Sequence, residues 1–194
     1  MPTFETISAR LLLCFALLGG AAFAADERVQ HELQSSGEIV PPLRKALGDK
    51  AYAEAMDSGE YNYIGNLKCR LCHRDFFVGR KHDAHESAYR NLLTEPYIDN
   101  PRCLNCHTTG HGNPSGFVSM GKTPNLANVQ CEGCHGPGNQ HMQRNAAGGF
   151  LAGKDNTHLL KKMCLACHAS PWNKSFANLD AAYEKYKKAK PDIR

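Results

Sequence analysis

The chain has 194 residues, enough for one domain or two small ones, and carries nine Cys, ten His and a formal net charge of +4. From Ala25 onward, Leu, Val, Ile and Phe supply 28 of 170 residues, about 16%, under the roughly 20% below which a chain is suspected of disorder. The charge is too small for a disordered tail, and the aliphatic supply excludes an ordinary aliphatic-core enzyme domain, so something other than aliphatic side chains must fill the interior.

In chain order, Arg10 precedes an apolar run over residues 11–18, then Gly19-Gly20 and Ala22-Phe23-Ala24. A charged n-region, a short apolar stretch and a small-x-small site predict a secretory signal peptide over residues 1–24, cut after Ala24. The run is too short for a permanent membrane span. Cys14 leaves with it, and eight Cys remain in a chain expected to be soluble and periplasmic or secreted, with no transmembrane anchor. Residues 25–194 are predicted to form one domain: an N-terminal segment 25–60, a central region 61–177 and a C-terminal helix within 178–194.

Residues 25–40 are polar, without a periodic apolar face. Pro41-Pro42 suits a helix start, and Leu43, Leu47, Tyr52, Ala55 and Met56 fall roughly on one side, so a helix is predicted up to Asp57-Ser58-Gly59. A second helix is predicted over residues 75–93, with Phe77, His85, Ala88 and Leu92 on one face. Asn100-Pro101 interrupts the chain. Residues 108–128 are rich in Gly, Asn, Ser, Thr and Pro and read as loop. Gly136-Pro137-Gly138 marks a reversal, and a last helix is predicted over residues 179–188. No strand is predicted, so the fold class is mainly α with extensive loops and little or no β.

Between these elements lie four copies of one motif: Cys69-Arg70-Leu71-Cys72-His73, Cys103-Leu104-Asn105-Cys106-His107, Cys131-Glu132-Gly133-Cys134-His135 and Cys164-Leu165-Ala166-Cys167-His168. C-x-x-C-H is the attachment motif of c-type haem. The two thiols form thioethers to one porphyrin, and the next imidazole binds its iron. Paired Cys also build zinc sites, but zinc gives no reason for a His after every pair, an event of about 10⁻⁵ by chance at this His content. Export weighs against zinc too, since c-type haem is attached outside the cytoplasm. The motifs predict four c-type haems, with His73, His107, His135 and His168 as proximal ligands. Four large apolar macrocycles would form the core and explain the aliphatic deficit. Each ferric bis-imidazole haem adds roughly −1, bringing the total charge to about zero, so the basic polypeptide gives no argument for nucleic-acid binding.

Six His lie outside the motifs. His85 is on the apolar face of its helix, His141 follows the Gly-Pro-Gly reversal, and His158 precedes the fourth motif beside Leu159 and Leu160; these three are predicted distal ligands. His82, His31 and His111 are weaker candidates. His82 is one turn from His85 and more exposed, His31 is in the polar N-terminal segment, and His111 is only four residues from His107. Met56, Met120, Met142 and Met163 are expected to pack rather than ligate.

These residues together resemble the tetrahaem cytochrome c-554 family. Lys68 to His73 followed by Asp83-Ala84-His85 is similar to its first haem segment. Cys103 to His107 with Thr108-Thr109-Gly110-His111-Gly112 is similar to its second. Val129-Gln130 with Cys131 to His135 and Gly136-Pro137-Gly138 is the most specific match, and Cys164 to His168 with Pro171-Trp172 resembles the fourth. The likeness covers residues 61–177. It implies an exported, mostly helical electron carrier with closely packed haem pairs. By position it also implies that His141 caps the haem of His73, His158 that of His135 and His85 that of His168, with the haem of His107 five-coordinate or weakly ligated. His111 is an extra imidazole near the second haem, and the chain is short after the fourth motif.

Electron transfer between a redox protein donor and acceptor is the leading expectation. An enzyme reducing a small nitrogen oxide at an open His107 haem is the alternative, disfavoured by the lack of a C-x-x-C-K motif. A third reading is a cytochrome filament in which His31 or His111 of one copy caps a haem of the next.

Overall fold

The computed structural model describes residues 37–79, 83–93, 97–143, 148–153, 156–168 and 178–188. The chain divides into residues 1–38 and 39–194, and every element below belongs to the second unit. The predicted signal peptide, His31, His82 and Pro171-Trp172 lie outside the described residues. Among these residues no helix is long and apolar enough to cross a membrane.

The described chain is helix and loop, with one isolated antiparallel bridge, Thr108 to Ala127, and no strand. The predicted helix after Pro41 is two helices, α1 (Pro42–Leu47) and α2 (Asp49–Met56). Gly48 separates them at φ +82°, a left-handed conformation that a side chain resists. The apolar spacing survives the break because Leu43, Ala46 and Met56 are all buried.

The predicted helix over residues 75–93 is also two elements. After the first motif, opened by α3 (Asn66–Cys69), come α4 (Arg74–Gly79) and a 3₁₀ helix, Ala84–Leu92. Asp83 starts the second by accepting the backbone N–H of His85 at 2.9 Å. The three-residue period of this helix puts His85 and Ala88 in one row and Tyr89 and Leu92 in the next. Ala88, Tyr89 and Leu92 are buried.

The second motif occupies α5 (Pro101–His107), begun by Pro101 and capped by Asn100, which accepts the N–H of Arg102 at 2.9 Å. The third is α6 (Cys131–His135), followed by α7 (Asn139–Gln143). The fourth forms the end of α8 (Thr157–His168), and α9 (Leu179–Lys188) matches the predicted last helix.

The loop over residues 108–128 is irregular as expected, apart from a 3₁₀ turn at Pro124–Leu126, yet it is firmly closed. Thr109 is fully buried. Its N–H donates to Leu126 at 2.9 Å, its carbonyl accepts from Phe117 at 3.0 Å, and its hydroxyl donates to Asn128 at 2.7 Å while accepting from Gln130 at 2.9 Å. Gly116 lets the loop close, because a Cβ there would lie 1.8 Å from the carbonyl oxygen of Gly110.

Three helices, α1, α6 and α9, contact α8. α1 packs along it, and α9 packs on it through an ion pair from Lys161 to Asp180, with the Lys161 ammonium 5.5 Å from the Tyr183 ring centroid. Leu159, Leu160 and Met163 of α8 join Leu43, Ala46, Tyr89, Leu92, Leu104, Phe117 and Leu126 in one apolar cluster. Burying a side chain of this size contributes about 1.5–3 kcal/mol. Met56 and Met163 pack in this cluster, whereas Met120 and Met142 are exposed. The cluster adds an aliphatic and aromatic wedge to an interior the sequence reading assigned to haem alone, and it is built partly from residues 43–56, which therefore pack with the haem-binding region.

Candidate functional site

The second and third copies sit on short helices, the fourth ends α8 and the first begins at the last residue of α3, and the spacing brings each pair of thiols about one turn apart. In the first copy the N–H of His73 donates to the carbonyl of Cys69 at 3.0 Å. Around it Leu67 and Leu71 are among the most exposed large apolar side chains, and Cys72 is exposed too.

The motifs meet across the chain. The Cys69 thiol neighbours that of Cys131, bringing the first and third copies together, and Cys106 neighbours Cys167, bringing the second and fourth together. α3 touches α6, and α6 touches α8.

The imidazoles also come together. The rings of His73 and His141 lie 6.2 Å apart with 21° between their planes. The rings of His85 and His168 lie 5.9 Å apart, at 77°. Two imidazoles on opposite faces of one metal, each nitrogen about 2 Å from it, place their centroids roughly 6 Å apart. Both pairs have that spacing. His158 is exposed on the first turn of α8 and makes no ring contact with His135 among the described residues. His135 instead packs on Phe150, with centroids 5.1 Å apart, and Phe150 stacks on His141 at 4.4 Å.

Most of these rings are held through Nδ1. His107 Nδ1 is 2.8 Å from the carbonyl of Ala88, His135 Nδ1 is 2.8 Å from that of Ala152, and His141 Nδ1 is 2.7 Å from that of Gly148. A ring that donates Nδ1–H to a carbonyl turns the lone pair of Nε2 outward, the arrangement that orients an imidazole for a metal. His85 differs: its Nδ1 is 3.2 Å from a carboxylate oxygen of Asp83. Burial, helped by the nearby His85, pushes the His168 pKa below its usual value and favours the neutral, ligating form.

At His107 the surroundings differ again. No described imidazole makes ring contact with it. His111 is half-buried, its Nδ1 is 3.1 Å from the Phe117 carbonyl, and its ring lies 6.4 Å from that of Phe117. Burial lowers its pKa, while the Phe117 carbonyl opposes the shift.

Sequence reasoning missed one residue. Glu132, at a variable position of the third motif, is fully buried. Its carboxylate accepts N–H groups from Ile64 at 3.0 Å, Gly65 at 2.7 Å and Gly138 at 2.7 Å. Burial raises its pKa against the opposing pull of these three bonds. The available signal was an acid beside a thiol in an apolar setting, just before Gly136-Pro137-Gly138. Its partners 67 and 68 residues away carry no side-chain signature.

The described side chains converge as pairs of imidazoles, and among them no group of three or more His, Cys, Asp or Glu is arranged to hold a metal ion. A structural zinc site takes four side chains. Haem iron takes four nitrogens from its porphyrin and asks the protein for two. The donor set therefore fits haem: thiol pairs for attachment, a proximal imidazole after each, and a second imidazole facing His73 and His168.

Residues 68–136 match the family model described as cytochrome c554 and c-prime. Cytochrome c-554 of Nitrosomonas europaea is 28% identical over 142 residues, 57% of this chain, and the chain spans 60% of that relative's length. The solved structure of reduced cytochrome c554 from Nitrosomonas europaea matches with a TM-score of 0.46 and 24% identity, covering 67% of this chain and 84% of that one.

Proposed function

We propose that this chain, whose residues 68–136 carry the sequence of the cytochrome c554 family, is an exported electron carrier that holds four c-type haems and passes electrons between two redox proteins. The observation that carries the proposal is the approach of His141 to His73 and of His85 to His168 at about the separation two axial ligands of one iron require. Haem iron supplies the one-electron chemistry. The chain's part is to attach, orient and space these centres.

Attachment falls to Cys69 and Cys72, Cys103 and Cys106, Cys131 and Cys134, and Cys164 and Cys167. His73, His107, His135 and His168 are the proximal ligands. His141 and His85 are the distal ligands facing His73 and His168, and His158 is assigned to the His135 haem. The thiol contacts of Cys69 with Cys131 and of Cys106 with Cys167 support two haem pairs, first with third and second with fourth. Haems held by motifs this close together would let an electron pass between neighbours inside the protein. At His107 the sixth position is left open, because His111 follows His107 by only four residues and no described imidazole makes ring contact with His107.

The test is mass and electron count. Protein made in a host that attaches c-type haem should exceed its polypeptide mass by four haems, about 2.5 kDa, and take up four electrons per chain. Haem extracted by acidified organic solvent, or fewer than four haems per chain, would overturn the proposal.

A further inference from the structure

Among the described imidazoles, His85 stands apart in what holds it. His107, His135 and His141 each face a neutral backbone carbonyl through Nδ1. His85 faces a carboxylate: Oδ1 of Asp83 lies 3.2 Å from His85 Nδ1 and 2.9 Å from the backbone N–H of the same residue. The Asp83 side chain is only 16% exposed. A charge–dipole contact this shielded from water keeps more of its strength than one on the open surface.

We infer that Asp83 is a positioning residue that sets the reduction potential of the haem shared by His85 and His168. The inference rests on the proposal that His85 is an axial ligand. The carboxylate oxygen 3.2 Å from Nδ1 electrostatically favours the tautomer with its proton on Nδ1, which leaves Nε2 for the iron and makes the imidazole a stronger donor. A stronger donor and a nearby negative charge both favour the ferric state, so this haem becomes harder to reduce than a haem whose distal ligand faces a carbonyl. Through the same oxygen, Asp83 starts the 3₁₀ helix that carries His85, so ring orientation and helix start are fixed together. The His73 and His141 pair, with Gly148 as the Nδ1 acceptor of His141, supplies an internal comparison. An electron would rest at the carbonyl-held site in preference to the carboxylate-held one, which gives the haem array a direction.

The experiment is redox titration of the holoprotein followed by EPR, with D83N, D83E and H85A. Asn caps helices as well as Asp, so D83N removes the charge and keeps the helix start. D83N should shift the reduction equilibrium of one haem about tenfold toward the ferrous state, 59 mV for a one-electron couple. That haem should stay low-spin and be the one whose low-spin signal H85A abolishes. D83E should return the midpoint most of the way. If D83N leaves all four midpoints in place, shifts them all equally, or turns a haem high-spin, the inference fails. If H85A adds no high-spin haem to the one at His107, the ligand assignment beneath it fails instead, and the two failures are told apart by that variant alone.

Discussion

The carboxylate of Glu132 accepts the backbone N–H of Gly65 at 2.7 Å, across 67 residues of sequence. With Ile64 and Gly138 on the same carboxylate, the approach to the first motif, the third motif and the turn after it are fixed to one side chain. The first and third motifs are thus tied directly through the polypeptide.

Replacing Glu132 with Ala leaves three N–H donors without their acceptor in a buried site. At 1–3 kcal/mol for each such group, E132A should destabilise the holoprotein by about 3–5 kcal/mol. Arg70 fills the equivalent place in the first motif but is exposed, and R70A should change stability by less than about 0.5 kcal/mol. Denaturant unfolding of the two variants makes the comparison, and equal losses would show that Glu132 has no special place.

The loop over residues 108–128 depends on a backbone approach. G116A places a Cβ 1.8 Å from the Gly110 carbonyl, so the loop must open or the chain shift. A Cβ on Gly153 meets no atom within 4 Å. Thermal melting should show a loss of several kcal/mol, on the order of 3, for G116A and a change within about 0.5 for G153A.

His111 gives the stability a pH dependence. Its folded pKa is lowered below the usual 6.5, chiefly by burial. The unfolded chain therefore binds its proton first, and stability falls as pH drops below 6.5 toward the folded value. Above 6.5 the contribution is fully present. H111Q should flatten this part of the profile in denaturant titrations at a series of pH values. An unchanged slope would assign it to another group.

Removing a distal ligand has a spectroscopic signature. H85A, H141A and H158A should each convert one haem from low to high spin and raise its potential, read by visible spectroscopy and redox titration. A variant that leaves the spectrum untouched would remove that His from the ligand set.

What could be read from sequence divides along physical lines. The motifs are local, five residues each, and their chemistry is carried by residue type, so attachment and proximal ligation could be proposed from sequence alone. The last helix and the loop over residues 108–128 were plain for the same reason. Helix breaks were less so. Apolar spacing continues across Gly48 even though the helix does not, and Asp83 restarts a helix whose apolar face had suggested one continuous element. Residue type and local setting singled out His85, His141 and His158, while the facing of His141 with His73 and of His85 with His168 depends on residues 68 and 83 positions apart and was implied only by family resemblance. Glu132 was invisible because its partners are backbone N–H groups, which every sequence has.

The measurement closest to the central claim is low-temperature EPR of the ferric protein with its iron quantified. The account predicts four irons per chain, three low-spin and one high-spin, the last at His107. Bound zinc, fewer than four irons, or a spectrum with no low-spin haem would contradict it.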